Sequence, residues 1–174
     1  MLKLSEYLGK YINDKGETVY YYRPSLGEGI GPEPFTQINE DPEILKVEIL
    51  EIPGTLSYMN YTFPTTFPNL KKLILYPSLV SDYEVLLFDD AVFHDCRNLK
   101  EVHLYRPMCF VNKRGDLHWK KPFSDSKDAT FYYHTGILGF SVAESLGEIN
   151  RWKIPYQIVE DSSLDVEFPS VPYM

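Results

Sequence analysis

Apolar and polar positions alternate in three short stretches of this chain, and the stretches recur at a fixed interval. Leu73, Val102 and Phe131 stand 29 residues apart, and Leu75, Leu104 and Tyr133 do the same. Each pair reads apolar-x-apolar, the period of a strand that buries one face. In the first two copies the match is longer: Asn69-Leu70-Lys71 corresponds to Asn98-Leu99-Lys100, Phe67 to Cys96 and Tyr76 to Tyr105. Repeats of this length imply stacked units, each with an apolar edge too small to bury alone. An earlier stretch, Ile44-Leu-Lys-Val-Glu-Ile49, reads as a degenerate copy with Val47 and Ile49 as its inward pair. Parallel strands are therefore expected near Val47, Leu73, Val102 and Phe131, each reached from the last by a crossover of similar length.

The flanking segments carry different patterns. Leu4 to Tyr11 suits a short helix or a strand, Asn13 to Gly16 a turn, and Glu17 to Arg23, rich in β-branched and aromatic residues, a second strand. A hairpin here would close one end of the stack, which otherwise offers an unpaired edge. Ser81 to Phe93 suits a short helix capped by Ser81 or Asp82 and carrying Val85, Leu86 and Phe88. Phe140 to Trp152 is the strongest helix pattern: Ser141 caps it, Glu144 completes a capping box, and Val142, Leu146, Ile149 and Trp152 form its inner stripe. Tyr156 to Val159 reads as a last strand, and the tail with Pro169 and Pro172 as loose. The expected organisation is a capping segment over 1–40, a repeat domain over 41–160 and a tail over 161–174.

Phe93-x-x-Cys96-x-x-Leu99-x-x-Val102-x-Leu104 resembles the repeat of the BspA-like leucine-rich-repeat family of bacterial surface proteins. Val92 stands where that family has alanine, and Pro107 follows Leu104 by three residues instead of directly. The units here are also longer than the family's usual length of about twenty-three, which implies insertions between strands. Ala129 to Tyr133, the amphipathic segment, Trp152 and Ile158-Val-Glu160 resemble the family's closing unit. The resemblance implies an α/β-type leucine-rich-repeat solenoid of right-handed sense. Short parallel strands would line one side, irregular or short helical segments the convex side, with an N-terminal β-hairpin and a C-terminal capping helix. It also implies a non-enzymatic, monomeric module that binds a protein or peptide on its strand face. Family members are often exported or held at the cell surface. Here the N-terminus Met-Leu-Lys-Leu-Ser-Glu-Tyr-Leu lacks the apolar core of a secretory signal, and no stretch matches a membrane span, so a cytoplasmic location is expected.

Composition narrows the function classes. The 174 residues fit one domain, and 44% apolar content suits a globular chain. Fourteen Tyr, ten Phe and thirteen Pro favour strands and tight loops over helices. A net charge of -8 argues against a nucleic-acid binder, which needs clustered cations. Lys71-Lys72 and the stretch 113–121 are basic only locally and read as solvated loops. The same acidity supports an alternative function, a small intracellular partner or inhibitor that neutralises a basic protein by electrostatic steering. Cys96 takes the family's buried repeat position and reads as a reduced core thiol, with Cys109 not bonded to it. His94-x-Cys96 lacks the paired spacing of a zinc site, so neither metal nor other cofactor is expected. No nucleophile elbow or Cys-His pair with an orienting group occurs, and Asp89-Asp90 point apart, so the chain is not expected to be an enzyme. Gly27 to Gly31 is followed by Pro32 and Pro34 and reads as a plain loop, and Arg114-Gly-Asp116 as a hairpin tip.

If the alternating pairs face inward, the residues between and beside them face outward. Stacked at the repeat interval these are Lys72, Ile74 and Tyr76, then Glu101, His103 and Tyr105, then Tyr132 and His134. A column of Ile, Tyr and His is more apolar than a solvated strand face requires, and Tyr is favoured at contact sites. Ile74, Tyr76, His103, Tyr105, Tyr132 and His134 are the candidate binding residues. The alternative is that the N-terminal segment, or the insertion after Tyr105, folds over this face.

Overall fold

The computed structural model describes residues 8–23, 42–54, 58–59, 67–77, 86–88, 93–106, 108–110, 122–134 and 155–159. Among them the strands are β1 (Leu8–Ile12), β2 (Thr18–Tyr22), β3 (Ile49–Ile52), β4 (Tyr58–Met59), β5 (Lys72–Leu75), β6 (Leu86–Phe88), β7 (Glu101–Leu104), β8 (Met108–Phe110), β9 (Thr130–His134) and β10 (Tyr156–Val159). β1-β2-β3-β5-β7-β9-β10 form one sheet and β4-β6-β8 a second. Every pairing among the described strands is parallel except β1 with β2. From β3 to β9 the chain visits the two sheets alternately, so each parallel neighbour in the larger sheet is reached through a strand of the smaller.

The repeat spacing sets the register. Leu50, Leu73, Val102 and Phe131 stand in one column across β3, β5, β7 and β9, and Ile52, Leu75, Leu104 and Tyr133 in the next. All eight are buried and share one apolar cluster with Ile44, Val47, Phe67, Leu70, Phe93, Cys96, Leu99 and Phe123. Burying each such side chain contributes roughly 1.5–3 kcal/mol, which is what holds strands of only four or five residues in place.

A similar turn precedes each of β3, β5, β7 and β9. The amides of Val47, Leu70, Leu99 and Ala129 donate to the carbonyls of Ile44, Phe67, Cys96 and Ser126 at 3.3, 3.1, 3.3 and 3.4 Å. Successive turns are tied by side chains: Asn69 Nδ2 donates to the Leu45 carbonyl and Asn98 Nδ2 to that of Pro68, both at 2.8 Å. In the last turn Ser126 Oγ donates to the Cys96 carbonyl at 2.8 Å. Phe93 and Phe123 both hold positive φ, 54° and 60°, and their rings stack with centroids 5.4 Å apart. Phe123-x-x-Ser126-x-x-Ala129 is thus a further copy of Phe93-x-x-Cys96-x-x-Leu99, one residue closer to its strand.

Two sequence expectations are corrected. The inward pair of the first repeat is Leu50 and Ile52, not Val47 and Ile49; Val47 is buried in the turn, in the place of Leu70 and Leu99, and Ile49 is half-buried on the opposite face. Leu50 lies 23 residues before Leu73, a shorter interval than the 29 of the later repeats. The helix expected between Ser81 and Phe93 is replaced, over Leu86–Phe88, by the middle strand of the second sheet.

The hairpin is present, and the first of its segments takes the strand form. Asn13 Oδ1 accepts from the amides of Lys15 and Glu17, and Gly16 supplies the φ of +78° that the turn needs. β2 runs parallel to β3, and Leu8, Tyr20 and Tyr22 extend the core cluster, so the hairpin closes the β3 end of the sheet. Tyr156–Val159 forms the last strand, as its pattern indicates. The helix expected over 140–152, the loops at 27–31 and 114–116, the boundary near residue 40 and the tail 161–174 lie outside the described residues. No helix among the described residues is long and apolar enough to cross a membrane.

Candidate functional site

The face of the large sheet opposite the core carries the candidate binding residues. Pairing of β3, β5, β7, β9 and β10 aligns Glu51, Ile74, His103, Tyr132 and Gln157 in one column. One step further along the strands, Tyr76, Tyr105 and His134 form a second. The rings make a continuous stack: Tyr76 on Tyr105 at 6.2 Å, Tyr105 on His134 at 4.1 Å, and His103 on Tyr132 at 4.8 Å. These spacings follow from strand separations of about 4.8 Å, which bring planar side chains at equivalent register into offset contact.

The two columns join through the histidines. His103 Nδ1 and His134 Nε2 are 2.9 Å apart, and the other ring nitrogen of His103 lies 3.5 Å from Glu101 Oε1. The carboxylate favours a proton on Nε2, which leaves Nδ1 to accept from the His134 Nε2–H. Burial, then the Lys72 cation and His134, hold the His103 pKa down to about 4, with Glu101 opposing. His103 is therefore neutral at pH 7.

At the hairpin end a carboxylate lies under this face. Glu51 is fully buried, Tyr11 Oη donates to its Oε1, and Tyr76 is hydrogen-bonded to the same carboxylate. Burial first, and then the neighbouring carboxylate, push the Tyr11 and Tyr76 hydroxyls well above the ordinary phenol range. Both act as neutral donors, the state a buried carboxylate requires. The Tyr21 ring lies over Gly9, where a Cβ would overlap it, and meets Tyr11 at 6.3 Å. Arg106, buried directly after Tyr105, donates from Nη2 to the Pro53 carbonyl at 3.3 Å.

All six candidate residues are brought together, but not all are accessible. Tyr76 and His134 are buried, with 6% exposure each, whereas Ile74, His103, Tyr105 and Tyr132 are half-buried. The expectation of a uniformly outward row is corrected for Tyr76 and His134, which are shielded by the ring stack and, for Tyr76, by the Glu51 cluster. Glu51 and Tyr11 are not found by reading the sequence. The available signal is an acid between Leu50 and Ile52, in a strand otherwise apolar.

Among the described residues no cluster of three or more His, Cys, Asp or Glu could hold a metal ion. Cys96 is buried, its thiol pushed up to about 12 chiefly by burial, and Cys109 is half-buried. No family model, curated protein or solved structure matches the chain.

Proposed function

We propose that this chain is a leucine-rich-repeat solenoid of the BspA-like type, acting as a non-enzymatic module that binds a protein or peptide on the strand face. The observation that carries this reading is the half-buried patch of Ile74, His103, Tyr105 and Tyr132 on rigid parallel strands, backed by the buried Tyr76 and His134. Rings already held by stacking lose little entropy on binding, so a partner meets a pre-organised surface. The repeated turns and the 29-residue register support the solenoid half of the reading.

The test begins with a partner identified by pull-down and mass spectrometry, followed by titration calorimetry on Tyr132→Ala and Tyr105→Ala. Loss of at least about 1–2 kcal/mol of binding energy is expected for Tyr132→Ala, with little change in melting temperature. Unchanged affinity with a large fall in melting temperature would assign these rings to the protein's own packing instead.

A further inference from the structure

The two histidines of the strand face hold its ring columns together. His103 stacks on Tyr132 at 4.8 Å and on His134 at 5.2 Å, and His134 stacks on Tyr105 at 4.1 Å. Tyr105 in turn carries Tyr76 at 6.2 Å. The 2.9 Å contact between His103 and His134 joins two ring nitrogens, so it holds only while one carries a hydrogen and the other a lone pair. With both rings charged, two N–H groups and two positive charges would meet there.

The groups around His103 decide where a proton sends it. On its own strand Glu101 brings Oε1 to 3.5 Å from Nε2, and Tyr105 lies beyond. β5 contributes the Lys72 cation, Ile74 and Tyr76 on one side, and β9 contributes Tyr132 and His134 on the other. Burial and Lys72 oppose a charge on the ring, and Glu101 favours it. His134 is buried, whereas the side chains of His103 and Glu101 are 17% and 43% exposed. Glu101 therefore offers a charged His103 both a counter-ion and access to water, at the nitrogen that does not face His134.

We propose that the His103–His134 contact is an acid-operated latch: neutral, it locks the two ring columns together, and with both rings charged it opens, His103 swinging toward Glu101. A first added proton is shared across the contact, because the two facing nitrogens need one hydrogen between them and the His103 Nε2–H then meets Glu101. A second has no place in the closed arrangement. Its uptake and the separation of the rings are therefore one coupled event. Opening removes the His103 ring from Tyr132 and from His134, so the surface that His103, Tyr105 and Tyr132 present is no longer pre-organised. The latch is a property of the fold alone; release of a bound partner in acid follows from it only on the proposed binding function.

The experiment follows the imidazole nitrogens and tyrosine rings of the full chain by NMR from about pH 7.5 to about 4.5, the range in which histidine titrates. At neutral pH His103 Nδ1 should give the signal of an unprotonated nitrogen and His134 Nε2 that of a protonated one. On acidification the two histidines should become fully charged at one midpoint, more steeply than a single-site curve. The Tyr132 ring should shift in the same step while the Leu104 methyl signals stay native. His134→Gln keeps a donor toward His103 Nδ1 but takes no charge, so it should turn the His103 curve into a shallow single-site one. Glu101→Gln should move the shared midpoint down by about half a pH unit or more. Separate single-site titrations with an unmoved Tyr132 ring would overturn the latch. So would loss of the Leu104 signals in the same step, which would make the event acid unfolding. A steep titration with unchanged affinity for the partner recovered by pull-down would uphold the latch and count against the strand face as the binding surface.

Discussion

Single side chains separate the two faces of the sheet. Leu75 and Leu104 are fully buried in the apolar cluster, and truncating either to Ala is expected to cost ~2–5 kcal/mol, read as a shift in urea midpoint. On the opposite face His103 makes stability depend on pH. Its folded pKa of about 4 lies below the unperturbed ~6.5, so the unfolded chain binds more protons between those values. Stability from this group is therefore fully present above the unfolded pKa and falls as pH drops through that window. The loss is at most about 3–4 kcal/mol, at ~1.4 kcal/mol for each pH unit the window spans. Urea titrations of wild type and His103→Gln from pH 7 to 4.5 should give a shallower pH slope for the variant. Identical slopes would mean that other groups carry the acid sensitivity.

Elements of this chain are legible in the sequence where one alternation dominates. Val102-x-Leu104 admits a single inward register because Glu101 and His103 alternate with it, and Leu73-x-Leu75, with Ile74 between its members, takes the same register from the 29-residue repeat. The first repeat is misread because Val47-x-Ile49 and Leu50-x-Ile52 are both apolar alternations, and only neighbouring strands decide between them. The run Val85 to Phe88 is apolar without period, which cannot distinguish strand from helix, so it gives no sign of the second sheet. The copy of the turn at Phe123 is hidden by its one-residue shift. That turn also sets two effects in opposition. A phenylalanine at positive φ costs of order 1 kcal/mol or more, and glycine would remove the strain. The Phe93 ring is fully buried between Phe67 and Phe123, and losing it costs about 3–5 kcal/mol. Burial should win, so Phe93→Gly is expected to lower stability by about 2–4 kcal/mol in chemical denaturation. A variant as stable as wild type would show that the strained backbone outweighs the ring.

At the scale of the whole molecule the question is what binds the hairpin to the repeats. The binding residues can be grouped from sequence because strand alternation stacks them. Their partial closure cannot, because it depends on Glu51 and Tyr11, which are 40 residues apart and meet only in the fold. That contact joins the hairpin to the first repeat from the face opposite the core, while Tyr20 and Tyr22 join it from the core side. Removing the Tyr11 hydroxyl would leave a fully buried carboxylate short of one donor, a loss of about 1–3 kcal/mol. Replacing Glu51 by Gln removes the charge that needs the donor. In a cycle of Tyr11→Phe, Glu51→Gln and the double variant, the two losses should therefore not add, and the coupling should exceed the ~0.5 kcal/mol typical of independent sites. Hydrogen exchange at Val19 and Tyr21 should rise in Tyr11→Phe before exchange at Val102 does, since the hairpin would detach first. Strict additivity, with β2 and β7 amides opening together, would show that the apolar contacts alone hold the hairpin.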